Sequence, residues 1–208
     1  MTQHDDPQAS SCVPPSADPH ASDLAAARGG DRAATRRLLQ AVGPAVVGVV
    51  GAVLGRGDRD VEDVVQEALV GVVSAIATFR GESSFLHFAR SIGLRRALDH
   101  RRSRARRGTP VELDDTHEAQ EPSPQEGAVA ARRREAFRGL LEALPEAQAE
   151  AFAQRVLLGS SIEEIAAEAG APVETIRSRL RLAKAALRAR ITDDPTLLEL
   201  SETDDDEA

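Results

Sequence analysis

Arginine and lysine are the residues of this 208-residue chain whose numbers and spacing point to chemistry. Residues 86–108 hold eight arginines against a single acid, Asp99, and residues 172–191 hold six Arg or Lys against Glu174 alone. A guanidinium matches the two-oxygen geometry of phosphate and stays charged at any physiological pH. Two such clusters therefore predict contact with a polyanion. Covalent catalysis has no comparable footing: five scattered histidines and the single Cys12 offer no nucleophile, base and orienting group together. A lone cysteine also forbids an internal disulfide or a cysteine-based metal cluster. The chain reads as a binding protein, not an enzyme, and no cofactor is implied.

The second cluster lies on a helix-turn-helix pattern. Ile162, Ile165, Ala166 and Ala169 fall on one helical face. Gly170 suits the left-handed residue that ends a helix, and Pro172 the first turn of the next. Val173, Ile176, Leu180, Ala183 and Leu187 then repeat every three or four residues as an inward stripe. At about 100° per residue, the opposite face presents Glu174, Ser178 and Arg181, with Thr175 and Arg177 at its edges. These five are candidates to read base edges, because the N-terminal part of such a helix enters the DNA major groove. Two amphipathic helices around a Gly-Pro turn also occur in ordinary bundles, but an ordinary solvated face mixes its charges. Glu174 has two equal readings, as an acceptor for a cytosine amino group or as a cap on its own helix.

A third constellation is acidic. Over residues 60–79, DVEDVVQEALVGVVSAIATF, the residues Val61, Val64, Val65, Ala68, Leu69, Val72, Val73 and Ile76 make a wide apolar face. Asp60, Asp63, Gln66 and Glu67 stand together away from it. Asp60 and Asp63 suit a helix N-terminus, whereas Gln66 and Glu67 lie deeper and predict a protein-docking surface. As metal ligands or catalytic acids these carboxylates would need partners that nothing else in the chain supplies. Residues Phe79 to Ser84, FRGESS, read as a loop. The next helix starts with Phe85, Phe88, Ala89 and Ile92 and runs into LRRALDHRRSRARRG. Its apolar face is too weak for insertion into a membrane surface, which leaves phosphate binding.

The formal net charge of −8 would argue against nucleic acid if it were spread evenly. It is not. Residues 1–23 carry four acids and no Lys or Arg, residues 109–131 six acids and none, and residues 192–208 eight acids and none. The negative charge sits in segments that lack helical periodicity, and a phosphate backbone meets the local field of the rest. The predicted organisation is all-α, with two small helical domains joined by a flexible acidic linker. Residues 1–22 form a disordered arm, 23–108 a helical domain in which Pro44 kinks or restarts a helix, and 109–131 the linker. Residues 132–191 form the helix-turn-helix domain and 192–208 an acidic disordered tail, whose Asp204–Glu207 end is expected to shield the basic recognition helix. With five Phe and no Trp or Tyr, the core must be built from Leu, Val, Ile and Ala. No apolar run is expected to reach the ~18 residues of a membrane span, and no signal-peptide pattern opens the chain, so a soluble, cytoplasmic protein without membrane insertion is expected.

The order and spacing of DVEDVVQEALVGV, FRGESSF, ALDHRRSRARR, an acidic linker and LPEAQAEAFAQRVLLGSSIEEIAAEAGAPVETIRSRLRLAKAAL resemble an extracytoplasmic-function (ECF) sigma factor of bacterial RNA polymerase. The likeness spans residues 24–107 and 132–191. It implies a promoter-recognition subunit whose partners are core RNA polymerase, promoter DNA and an anti-sigma factor. By that resemblance Asp60, Asp63, Gln66 and Glu67 dock on the clamp helices of the largest polymerase subunit. Phe79, Arg80, Gly81, Glu82, Ser83 and Ser84, with Phe85 and Phe88, capture an unstacked non-template base of the −10 element. Arg95, Arg96, Arg101 and Arg102 hold duplex phosphates, and Glu174, Thr175, Arg177, Ser178 and Arg181 read the −35 element. The linker is expected to thread the RNA exit channel.

The chain departs from the family where Trp and then Tyr usually follow the loop, having Phe88 and Arg90, and where Asn is usual it has Arg95. Stacking of melted bases would then rest on Phe85, His87, Phe88 or an arginine plane. The alternative reading is a stand-alone helix-turn-helix regulator that binds duplex DNA without docking on core polymerase.

Overall fold

The computed structural model describes residues 18–107 and 124–191, and every regular element in them is helical. The segments 1–17, 108–123 and 192–208 lie outside the described residues, and with them most of the predicted arm, most of the predicted linker and the acidic tail. The N-terminal group comprises α1 (Ala21–Arg28), α2 (Arg32–Leu54), α3 (Val61–Ala75) and α4 (Phe85–Arg107). The C-terminal group comprises α5 (Pro124–Ala143), α6 (Glu146–Ala153, continued by a π-helical turn Gln154–Leu158), α7 (Ile162–Ala169) and α8 (Val173–Ile191).

Two predicted boundaries move. The arm was expected to extend to residue 22, yet residues 18–22 belong to the fold: Asp18 makes a turn ahead of α1, and its Oδ2 accepts a hydrogen bond from the Phe85 N–H at 2.5 Å. The linker was expected to reach residue 131, yet α5 starts at Pro124. Proline fixes φ at a helical value and lacks only an N–H that a first turn cannot use, so Pro124 opens a helix there. The alanines that follow sustain it.

Each helix of the first group has a local reason to begin where it does. The Asp31 carboxylate accepts from the N–H groups of Ala33 and Ala34, at 2.7 and 3.2 Å, and so caps α2. The Ser84 hydroxyl accepts from the His87 N–H at 3.2 Å in the first turn of α4. At the start of α3, Asp60 makes no capping hydrogen bond with its side chain. The Asp58 carboxylate instead accepts from the Asp60 N–H at 2.9 Å, bracing the turn from before the helix.

α2 passes through Pro44 as one helix, without the expected restart. It is also long and apolar enough to span a membrane by length and composition, contrary to the expectation that no such run exists. Its Leu38, Val42, Val46, Val50 and Val53 are buried against the rest of the fold. Where α2 crosses α4, a Cβ on Gly93 would stand 3.1 Å from Val46 Cγ1, so glycine lets the two helices close.

The main apolar core contains Leu38, Val42, Val46, Val50, Val64, Ala68, Val72, Phe85 and Leu94 from the first group. It continues without a break into Phe137, Leu140, Leu141, Phe152, Ala183 and Leu187 of the second. A small separate core of Ala151, Ile165, Ala166, Ile176 and Leu180 holds the helix-turn-helix together. The sequence predicts two halves held apart by a tether; the structure packs them against each other.

One ion pair is buried within the first group. Arg104 of α4 donates to Asp58, and both side chains are nearly sealed from solvent, with Asp60 Oδ2 another 3.6 Å away. Removing one partner strands a charge without water. Arg104→Met is expected to lower unfolding free energy by about 3–5 kcal/mol, as read by urea denaturation.

Candidate nucleic-acid interface

Three of the four predicted docking residues face solvent. α3 turns Val64, Val65, Ala68 and Val72 into the core, which leaves Asp63, Gln66 and Glu67 exposed along the opposite side. They line a shallow open groove with Val70, Gly71, Ser74 and, from α4, Arg96. Val70 is 66% exposed, an apolar surface beside carboxylates and an amide. Asp60 does not belong to this face. It is half-buried, and its Oδ2 lies 3.1 Å from His100 Nε2 and 3.6 Å from Arg104 Nη1. Its position one turn ahead of Asp63 puts it on the seam with α4, where cations claim it.

The loop Phe79–Ser84 is held at both ends by the N-terminal segment. Arg28, in the last turn of α1, donates through Nε to the Ile76 carbonyl at 3.3 Å and through Nη2 to the Phe79 carbonyl. Asp18 takes the Phe85 N–H at the other end. Between these anchors Arg80, Gly81, Glu82 and Ser84 are exposed and Ser83 is half-buried. Arg28 and Asp18 were not among the predicted site residues. Nothing in their sequence neighbourhood links them to residues some fifty positions away, because that link is made only by tertiary packing.

The aromatic residues fall differently from expectation. Phe85 is fully buried and Phe79 nearly so. With Phe88 they form a cluster, Phe79 lying 5.6 Å from Phe85 and 4.8 Å from Phe88 between ring centroids, and His20 packs edge-on to Phe85 at 6.1 Å. A ring enclosed on all sides cannot offer a face to a base, so Phe85 and Phe79 support the loop from beneath. In this region His87 and Phe88 on α4 are half-buried and retain access to solvent, as does His20 ahead of α1.

The arginines of α4 divide by face. Arg96 is exposed and lines the α3 groove. Arg95 pairs with Glu168 of α7, and Arg102 pairs with both Asp99 and Glu146 of α6. Arg101 is half-buried in a cavity lined also by Val53, Leu54, Arg138 and Glu142. Burial there pushes its guanidinium below its ordinary value, and the Glu142 charge pulls it back up. Arg106 and Arg107, which belong to the eight arginines counted from sequence, are exposed at the end of the helix.

The helix-turn-helix follows its sequence pattern closely. Gly170 adopts the left-handed conformation, φ 58°, at the end of α7. Pro172 stands just before α8, its carbonyl accepting from Thr175 and Ile176 at 2.9 and 3.3 Å. Ile176, Leu180, Ala183 and Leu187 are buried and Val173 half-buried; Ala169, expected inward, is exposed. Glu174, Arg177 and Arg181 are exposed, with Thr175 and Ser178 half-buried beside them. Glu174 takes a role that neither sequence reading named, accepting from Arg177 one turn on. At the start of α7 the Ser161 hydroxyl accepts from the Glu164 N–H at 3.1 Å while the Glu164 carboxylate accepts from the Ser161 N–H at 2.8 Å. That capping box was legible as Ser-x-x-Glu and fixes where the unit begins.

Among the described residues, no group of three or more His, Cys, Asp or Glu could hold a metal ion. What the geometry offers is an acid and amide groove, a braced polar loop and two basic helical surfaces.

Comparison with known proteins agrees in order and extent. Residues 38–107 match the family model described as Sigma-70 region 2, and residues 134–187 the one described as Sigma-70, region 4. The ECF RNA polymerase sigma factor SigD of Mycobacterium tuberculosis is 31% identical over 159 residues, covering 74% of this chain and 75% of that one. The ECF RNA polymerase sigma-E factor of Escherichia coli is 31% identical over 141 residues, covering 64% and 74%. In fold, the chain is similar to CnrH in complex with the cytosolic domain of CnrY, with a TM-score of 0.56 at 23% identity over 83% of this chain and 97% of that one. It is also similar to the sigma factor RpoE of Bartonella quintana in complex with the anti-sigma factor NepR, with a TM-score of 0.52 at 24% identity over 76% and 97%.

The burial of Phe85 has a measurable consequence. Phe85→Ala is expected to cost about 3–5 kcal/mol of stability through the cavity it leaves, while His87→Ala stays within about 0.5 kcal/mol; urea unfolding of the two variants separates a supporting ring from a surface one.

Proposed function

The chain belongs to the extracytoplasmic-function family of RNA polymerase sigma factors, and from that membership we propose how its surfaces divide the work of promoter recognition. A sigma factor is a non-catalytic subunit that directs transcription initiation. Here Asp63, Gln66 and Glu67 on α3, with Val70 beside them, dock on the clamp helices of the largest subunit of core RNA polymerase. The observation that carries this reading is their exposure in a groove on a helix that buries Val64, Val65, Ala68 and Val72 on its other side. Asp60 supports that face from behind through His100 and Arg104.

The loop of Arg80, Gly81, Glu82, Ser83 and Ser84 takes an unstacked non-template base of the −10 element. Exposed hydroxyls and backbone groups can hydrogen-bond its edge, and an interaction of this kind has to offset unstacking of a few kcal/mol. His87 and Phe88 supply the accessible ring faces, Phe79 and Phe85 the base on which the loop rests. Arg95, Arg96, Arg101 and Arg102, joined by Arg106 and Arg107, hold duplex phosphates, which position the DNA without specifying sequence. On α8, Glu174, Thr175, Arg177, Ser178 and Arg181 read the −35 element in the major groove. The linker threads the RNA exit channel, where an acidic chain can take the place of a polyanion.

CnrY and NepR each accompany a sigma factor of similar fold, and we extend that to an anti-sigma partner for this chain. The cytoplasm, where polymerase and promoters meet, is its place of action.

Reconstitution with core RNA polymerase tests the reading directly. Transcription from a cognate promoter without another specificity factor is expected, and tight duplex binding with no affinity for core would replace it with a stand-alone regulator. Asp63→Lys with Glu67→Lys should abolish core binding while leaving the helical circular-dichroism signal intact. Arg181→Ala should weaken binding to a −35 duplex by about 1–3 kcal/mol, seen as a shift of roughly five- to 150-fold in a fluorescence-anisotropy titration.

A further inference from the structure

The arginines proposed to hold phosphate are not idle in this structure. Arg95 is paired with Glu168 and Arg102 with Glu146, and both carboxylates belong to the C-terminal group. Earlier on α4, Arg90 donates to the Leu157 carbonyl near the end of the π-helical turn. Carbonyls at a helix C-terminus lack intrahelical donors and carry the negative end of the dipole, so a cation from another element is a fitting partner. His87 Nε2 stands 3.5 Å from Ser160 Oγ on the same seam. One face of α4 thus meets α6, the π-helical turn and α7 through a row of polar contacts.

We propose that Glu146 and Glu168 act as internal stand-ins for DNA phosphate, so that the free chain masks part of its own basic face until the two halves separate. The proposal rests on the reading that Arg95 and Arg102 contact phosphate. A carboxylate and a phosphate offer a guanidinium the same two-oxygen fork, so each arginine can serve one or the other. Each pair is partly solvated, with Arg95 49% and Glu168 22% exposed in one and Arg102 29% and Glu146 65% exposed in the other. Such pairs are weak and screened by salt, as a displaceable latch requires. The shared apolar core beneath them sets the remaining cost of parting. Binding to polymerase, which offers each half a new surface, supplies the compensation.

The test uses the full chain with Cys12→Ser and fluorophores at Ala105→Cys and Ala185→Cys, exposed positions on α4 and α8. In the Glu146→Gln, Glu168→Gln variant the open population is expected to rise. Affinity for a short non-promoter duplex at low salt should rise about two- to thirtyfold, the range set by two exposed ion pairs. A Glu150→Gln, Glu163→Gln variant changes net charge equally and serves as the reference. An unchanged energy-transfer distribution, or a gain in affinity no larger than the reference shows, would overturn the latch. Core-dependent transcription by the parent chain is scored separately, so loss of the latch leaves the promoter-recognition reading standing, and loss of that reading is visible on its own.

Discussion

An arginine cut off from solvent has to be met by carboxylates, and the geometry of the first helical group follows from where that happens. Arg104 sits near the end of α4, while Asp58 and Asp60 lie in the turn that launches α3. Their meeting fixes the C-terminal part of the basic helix against the first turn of the acidic one. His100, one turn earlier on α4, meets the same Oδ2 of Asp60 that Arg104 approaches. The exposed acids of α3 and the arginines of α4 therefore keep a constant relation to each other. An acidic surface and a basic surface are built on one rigid angle.

The same economy governs the loop between them. A short polar loop is ordinarily mobile because few buried contacts restrain it. Here it is clamped by Arg28 and Asp18, both from the start of the chain, and floored by Phe79 and Phe85. With few aromatic residues available, the chain spends its phenylalanines on stiffness beneath the loop. What the loop leaves accessible is its own polar edges and the half-buried His87 and Phe88.

How much of this was legible depended on whether the information was local. The helix-turn-helix could be read residue by residue, since the stripe on α8 and the conformation at Gly170 are set within one or two turns. The exposed part of the α3 face was legible for the same reason. The misreadings share a different cause. Asp60 and Phe85 were assigned by position in a motif, and both were claimed by partners far away in the chain. Pro124 was counted among linker prolines when its place before an alanine-rich stretch made it a helix start. The packing of one half on the other was invisible, because composition identifies a spacer but not what its ends touch.

The π-helical turn Gln154–Leu158 departs most from any pattern the residues alone suggest. Regular α-helical spacing would bury Val156 and Leu157; these are half-buried, and Gln154 and Leu158 are buried instead. A turn of this kind accommodates one residue more than an α-helical turn, and one residue corresponds to a rotation of about 100°. That extra residue works as an angular offset between the helix that packs on the core and the helix-turn-helix unit that follows it. The azimuth at which α8 presents Glu174, Arg177 and Arg181 is in this way a matter of chain length, adjustable by a single insertion or deletion without touching any of those residues.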